Sequence, residues 1–198
     1  MGKPMTITQV LEEIKKDYLF YMESGGGVTF SGGEPYLHPE YLTELVSQCQ
    51  QLGISTCTES CGLFDYEACA SLLAAMDQLF FDIKIMDSAK HKHYTGHGNE
   101  EILENIRRAS LINSNIVVRV PVIKTVNDDL ENMHQLCSFL TTKTTIKRIE
   151  LLTYHKLGLE KMQALGLIAQ VFQEPSAQRL QELKDVISSY GLENVSYK

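Results

Sequence analysis

Gly32-Gly33-Glu34-Pro35 follows directly on a β-prone run, Gly27-Val28-Thr29-Phe30-Ser31. Paired glycines let backbone amides and carbonyls approach a ligand with no Cβ in the way. The carboxylate beside them suits an ammonium or hydroxyl group. Alone, the tetrapeptide also makes an ordinary turn. Further along, successive apolar segments carry polar residues near their C-terminal ends that the pattern does not require: Glu59 with Ser60, Asp82 with Lys84, Arg119, and His155. Strand alternation sets Asp82 and Lys84 opposite Phe81, Ile83 and Ile85, and Arg119 opposite Ile116, Val118, Val120 and Val122. Each has a structural reading: an internal ion pair for Asp82 and Lys84, a snorkelling arginine, a satisfied core histidine, an exposed loop acid. Taken together they describe one polar mouth for a zwitterionic ligand with an amine, a carboxylate and hydroxyls.

The elements that must position these residues follow from periodicity and punctuation. Thr6-x-x-Gln9 reads as a capping box ahead of Val10, Leu11, Ile14 and Tyr18 at helical spacing, ended by Gly25-Gly26-Gly27. Pro39 opens a helix with Leu42, Leu45, Val46 and Cys49 on one face, closed by Gly53. Ile54 to Ser60 predicts a strand, Asp65 to Ala75 a helix, and Leu79 to Ile85 a strand. Asn99 caps a helix carrying Ile102, Leu103, Ile106 and Ala109. Ile116 to Val122 predicts a strand, Asp128 to Leu140 a helix, Arg148 to Tyr154 a strand, and Pro175-Ser176 introduces a last helix ended by Gly191. Strand and helix alternate over short connections, which predicts an α/β fold with a parallel sheet, open or curled into a barrel. In such sheets ligands bind at the C-terminal ends of the strands, where the polar residues fall. Five strands are legible, fewer than a closed eight-stranded barrel needs.

A chain of 198 residues, 43% of them hydrophobic, predicts one domain with one core. The net charge of −7 is spread over helix faces. No basic run marks a nucleic-acid or membrane partner, and no apolar stretch reaches membrane-spanning length. The five cysteines, an odd count without framework spacing, predict a reducing cytoplasm. His91, His93 and His97 lack a cysteine or acid at ligand spacing and read as solvated loop residues.

Six segments together resemble the radical S-adenosylmethionine (SAM) superfamily, specifically the activating enzymes of glycyl radical enzymes: Gly26 to Pro35, Glu59-Ser60-Cys61-Gly62, Phe81-Asp82-Ile83-Lys84, His91 to Gly96 followed by Asn99 to Ile106, Arg119 to Ile123 with Asn127-Asp128, and Leu151 to Gly158. The resemblance spans nearly the whole chain. It implies a partial (β/α) barrel of about six strands. It also implies a reaction in which SAM, bound to a 4Fe-4S cluster, is cleaved reductively to a 5′-deoxyadenosyl radical that takes a hydrogen atom from a backbone glycine of a partner enzyme such as pyruvate formate-lyase. Carried over, Gly32, Gly33 and Glu34 hold the amino group, and Lys84 and Arg119 stand near the carboxylate and ribose. Glu59 and Asp82 line the site, with a monovalent cation between them as an option, and His155 contacts the nucleoside. The Asp87 to Thr95 loop lies where the partner's polypeptide enters. A flavodoxin-type reductant is usual for the family.

Two departures qualify that resemblance. The family's Cys-x-x-x-Cys-x-x-Cys cluster motif lies upstream of the Gly-Gly-Glu segment, whereas the first cysteine here is Cys49. Cys57 and Cys61 have the first spacing, but Phe64 stands at the third position, and an extended strand separates the two by roughly 13 Å. The expectation is an N-terminally truncated barrel, inactive without cluster ligands, whose exposed edge strand favours self-association. Two alternatives are a cluster-less barrel that binds a nucleoside or a protein, and an unrelated barrel enzyme using Lys84 as a Schiff-base nucleophile. The second departure is Lys124-Thr125, where many members carry Pro-Gly, which leaves the shape of that loop open.

Overall fold

The computed structural model describes residues 3–154, 166 and 171–197. Six strands stand in the order β1-β2-β3-β4-β5-β6, each end strand having one neighbour, and the pairings β1–β2, β2–β3, β4–β5 and β5–β6 are parallel. The α/β class and the open parallel sheet are as the alternation predicts. The chain divides into two compact units, Met1–Phe81 with Glu101–Ile116, and Asp82–Glu100 with Val117–Lys198.

In the first unit, α1 (Ile7–Lys15) starts at the expected capping box, with the Gln9 amide donating to Thr6 Oγ1 and the Thr6 amide to Gln9 Oε1. The single helix expected through Tyr18 is two helices. The Lys16 and Asp17 amides bond three residues back, to Glu13 and Ile14, which tightens the turn and ends α1 before α2 (Tyr18–Ser24) begins. Gly25, at φ 66, ends α2 and leads to β1 (Gly27–Phe30). A Cβ on Gly27 would stand 2.0 Å from the Ser55 carbonyl oxygen, so the entry to β1 admits only glycine. The helix α3 (Pro39–Gln51) buries Leu42, Leu45, Val46 and Cys49, the face that its spacing predicts. Leu11, Ile14, Leu45, Cys49 and Ile54 form a core against which Val28 and Phe30 pack. β2 (Ser55–Ser60) pairs with β1 and with β3 (Gln78–Asp82). Between β2 and β3, α4 (Tyr66–Ala75) is capped by Asp65.

The second unit opens with α5 (Ser88–Thr95), a helix in the segment expected to be a loop, capped by the Asp87 carboxylate on the Lys90 amide. The helix α6 (Glu100–Ile112) follows and returns the chain to the first unit, where Asn105 donates to the Gly62 and Phe64 carbonyls. β4 (Ile116–Val122), α7 (Leu130–Lys143), β5 (Arg148–Thr153) and α8 (Ala177–Ser189) match their sequence expectations within a few residues. The strand β6 (Glu193–Val195) joins β5 and was not legible, because three residues carry no alternation to read.

Candidate functional site

In the first unit, the Gly-Gly-Glu turn is locked to the end of β2. Glu34 caps a short 3-10 turn at Pro35–Leu37, accepting from the Tyr36 amide at 3.3 Å. Its carboxylate also accepts the Ser60 hydroxyl at 2.9 Å, the Cys61 amide at 2.9 Å and the Cys61 thiol at 3.1 Å. Donors from one segment thus fix a carboxylate on the next, and the glycines before it inherit that rigidity. Gly32 takes φ 120, a conformation reserved for glycine. Neither Gly32 nor Gly33 has any atom within 4 Å of where a Cβ would stand. The turn therefore offers bare backbone beside open space, which fits the approach of an amine-bearing ligand. Glu59 belongs to the same unit and accepts the Ser31 hydroxyl at 2.9 Å.

The second unit gathers Asp82, Lys84 and Arg119. Ile83 and Ile85 are buried on the face expected of them, and the Asp82 and Lys84 side chains on the other face pair at 3.3 Å, each about a third exposed. The ion pair anticipated as their structural reading does form, on a half-open face. Beyond β3, the chain from Lys84 to Met86 is clamped by asparagines. Asn127 donates to the Lys84 carbonyl at 2.7 Å and to Pro121, and Asn99 donates to the Ile85 and Met86 carbonyls. Asn132 accepts the Met86 amide at 2.8 Å. Buried backbone groups that leave a strand need such partners, and here they also fix where the Lys84 side chain begins. Arg119 is held by a residue that the sequence reading passed over. Glu150, buried on β5, accepts Arg119 Nε at 2.7 Å. Its only sequence signal was a lone acid in an apolar strand. His155 lies outside the described residues.

One of the three histidine readings changes. His91 is buried, with Nδ1 2.7 Å from the His97 carbonyl oxygen and 3.0 Å from Thr95 Oγ1, because α5 carries it inward. His93 and His97 are exposed as expected. Among the described residues no group of three or more His, Cys, Asp or Glu side chains is disposed to hold a metal ion. The five cysteines do not fit a 4Fe-4S cluster. Cys49, Cys69 and Cys137 are buried on α3, α4 and α7, where burial pushes all three thiols up, Cys69 and Cys137 to about 11. Cys57 lies within β2, and the Cys61 thiol donates to Glu34.

Comparison with known proteins adds the family. Residues 1–137 match the radical SAM superfamily. The (2S)-3-sulfopropanediol dehydratase activating enzyme of Klebsiella oxytoca is 40% identical over 168 residues, covering 84% of this chain and 53% of that protein. The 4-hydroxyphenylacetate decarboxylase activating enzyme of Clostridioides difficile (strain CD196) is 38% identical over 197 residues, covering 96% of this chain and 61% of that protein. The chain thus spans little more than half the length of these curated relatives. A crystal structure of a domain of pyruvate-formate lyase-activating enzyme from Bacteroides vulgatus ATCC 8482 is 32% identical with a TM-score of 0.71, covering 87% of this chain and 99% of that one. A radical SAM methyltransferase from Sphaerobacter thermophilus, at 15% identity and a TM-score of 0.73, shares the fold. The chain belongs to the radical SAM superfamily, among the activating enzymes of glycyl radical enzymes.

Proposed function

We propose that this chain is the SAM-binding segment of an activating enzyme that installs a glycyl radical on a partner enzyme. The observation that carries the reading is the latched Gly-Gly turn, with Glu34 tied down by Ser60 and Cys61 beside two glycines that open onto free space. When bound, SAM would supply, on accepting one electron from a donor outside this chain, carbon–sulfur cleavage and with it the removal of a hydrogen atom from a partner glycine. The residues of this chain do the holding and orienting. The Gly32-Gly33 backbone and the Glu34 carboxylate receive the ammonium group. Lys84, its backbone clamped by Asn127, and Arg119, held by Glu150, supply positive charge for the carboxylate and ribose. Asp82 and Glu59 line the site for the ligand, and His155 contacts the nucleoside. A flavodoxin-type protein serves as electron donor, and a glycyl radical enzyme is the partner. The five cysteines, none of them in a disulfide, suit a reducing cytoplasm.

Gly33→Val tests the reading cleanly. Gly33 has ordinary φ and an empty Cβ direction, so the fold tolerates the larger residue while the side chain fills the space meant for ligand. We expect unchanged urea stability and a loss of SAM affinity of about tenfold or more by NMR titration. Equal affinity in the variant would remove the assignment.

The cysteine geometry also favours a second reading, a cluster-less module that binds a nucleoside or a protein. Anaerobic reconstitution of this chain with iron and sulfide separates activity from binding. We expect no stable cluster and no SAM cleavage by the chain alone. Stoichiometric cluster formation would show that the chain is itself competent.

A further inference from the structure

Glu150 is 2% exposed and sits in parallel register between two strands, opposite Arg119 on β4 and Val195 on β6. Its two oxygens are divided. One accepts Arg119 Nε at 2.7 Å and the other accepts the Tyr197 backbone amide at 2.6 Å. The Arg119 side chain is itself only 15% exposed. A buried carboxylate is costly unless paired and hydrogen-bonded, so its retention in an otherwise apolar strand calls for a reason. The contact geometry supplies one. A guanidinium gripped at Nε is a rigid planar fork whose plane is set by the grip, and the Nη groups then fan out in a fixed direction. The grip in turn is tied to the short C-terminal strand and the amide just beyond it.

We propose that Glu150 is a positioning residue that sets the Arg119 guanidinium for its SAM contact and links that setting to the C-terminal strand β6. The role rests on the SAM-binding reading given above. It assigns to the Tyr197 backbone amide, two residues beyond β6, the task of holding the far oxygen of the carboxylate. A purely structural ion pair would hold the strands together yet leave ligand affinity untouched.

Two readouts test it on this chain. The first needs no ligand: the Nε–H resonance of Arg119 in a ¹⁵N-labelled sample. Native protein should show a slowly exchanging signal, and Glu150→Gln should shift it and accelerate its exchange. An unchanged signal would overturn the positioning role whatever the ligand. The second is SAM affinity by NMR titration in a double-mutant cycle with Arg119→Gln. Glu150→Gln should weaken binding roughly fivefold to tenfold, and the double variant should be no weaker than Arg119→Gln alone. Losses that multiply would show that Glu150 acts independently of Arg119, and native affinity in Glu150→Gln would likewise reject the role. Should Arg119→Gln bind SAM as well as native protein, the Arg119 contact itself would fall, while a disturbed Nε–H signal would still show that Glu150 sets the guanidinium. Glu150→Asp, a charge-retaining variant, should recover part of the Nε–H protection if the carboxylate is what grips.

Discussion

Gly32 and Gly33 are adjacent glycines with different obligations. Gly32 is required by its backbone, at φ 120, whereas Gly33 has an ordinary φ and an empty Cβ direction, so the fold itself does not demand glycine there. Gly32→Ala should therefore destabilise the chain by about 1–3 kcal/mol in urea unfolding, although no neighbour obstructs the methyl group. A stability equal to native protein would mean that the turn relaxes. The cysteines divide along similar lines. Cys49, Cys69 and Cys137 are buried thiols, and Cys57 and Cys61 are partly exposed. Iodoacetamide at pH 8 should label only the latter two in the native state; labelling of all five at equal rates would contradict the burial. The buried thiols also carry a pH signature. Burial keeps them neutral in the fold, so the unfolded chain ionises first, from its ordinary value of 9.0, while Cys69 and Cys137 wait until about 11. Their contribution to stability is complete below about pH 9 and is lost as pH rises toward 11.

At the scale of elements, the strand ends matter more than the strands. β3 stops at Asp82, and the segment that follows is held by side-chain amides instead of a ladder. Removing one clamp leaves backbone groups with no partner. Asn127→Ala strips donors from the Lys84 and Pro121 carbonyls and an acceptor from the Ile123 amide. We expect a cost of about 2–3 kcal/mol, read as a lowered urea midpoint; a change below half a kilocalorie would show that water replaces the amide. The loop after β4 shows the opposite economy. Thr125 sits at φ 66, a conformation that favours glycine, and its amide is held by the Asp128 carboxylate at 2.7 Å. The loop keeps a left-handed shape although the residue is β-branched, and the Asp128 carboxylate three residues on holds the Thr125 amide in it.

At the scale of the whole molecule, β1 pairs only with β2 among the described strands. It carries none of the lysines, prolines or bulges that blunt exposed edges. Leu19, Phe20 and Met22 on α2, just before it in the chain, are exposed. We therefore expect concentration-dependent self-association of this chain by light scattering, suppressed by Thr29→Lys, whose side chain lies on an exposed strand position. A single monomeric species at high concentration would refute the edge as a pairing surface. No described helix is long and apolar enough to cross a membrane.

The sequence by itself determined the element order, the capping box at Thr6, the helix starts at Asp65 and Ser176, the apolar faces, and which polar residues stand apart from them. Local periodicity and hydrogen-bonding chemistry decide all of these. It also carried the family, through six short segments in fixed order. Tertiary structure decided who holds those polar residues. That Glu34 is latched by Ser60 and Cys61, that Lys84 stands on an asparagine clamp, and that Arg119 is gripped by Glu150 depends on contacts between residues 26 to 43 positions apart in the chain. The burial of His91 and the short strand β6 were settled the same way. The strand needs β5 beside it, and His91 needs the turn after α5 folded back onto its ring, neither of which periodicity reads.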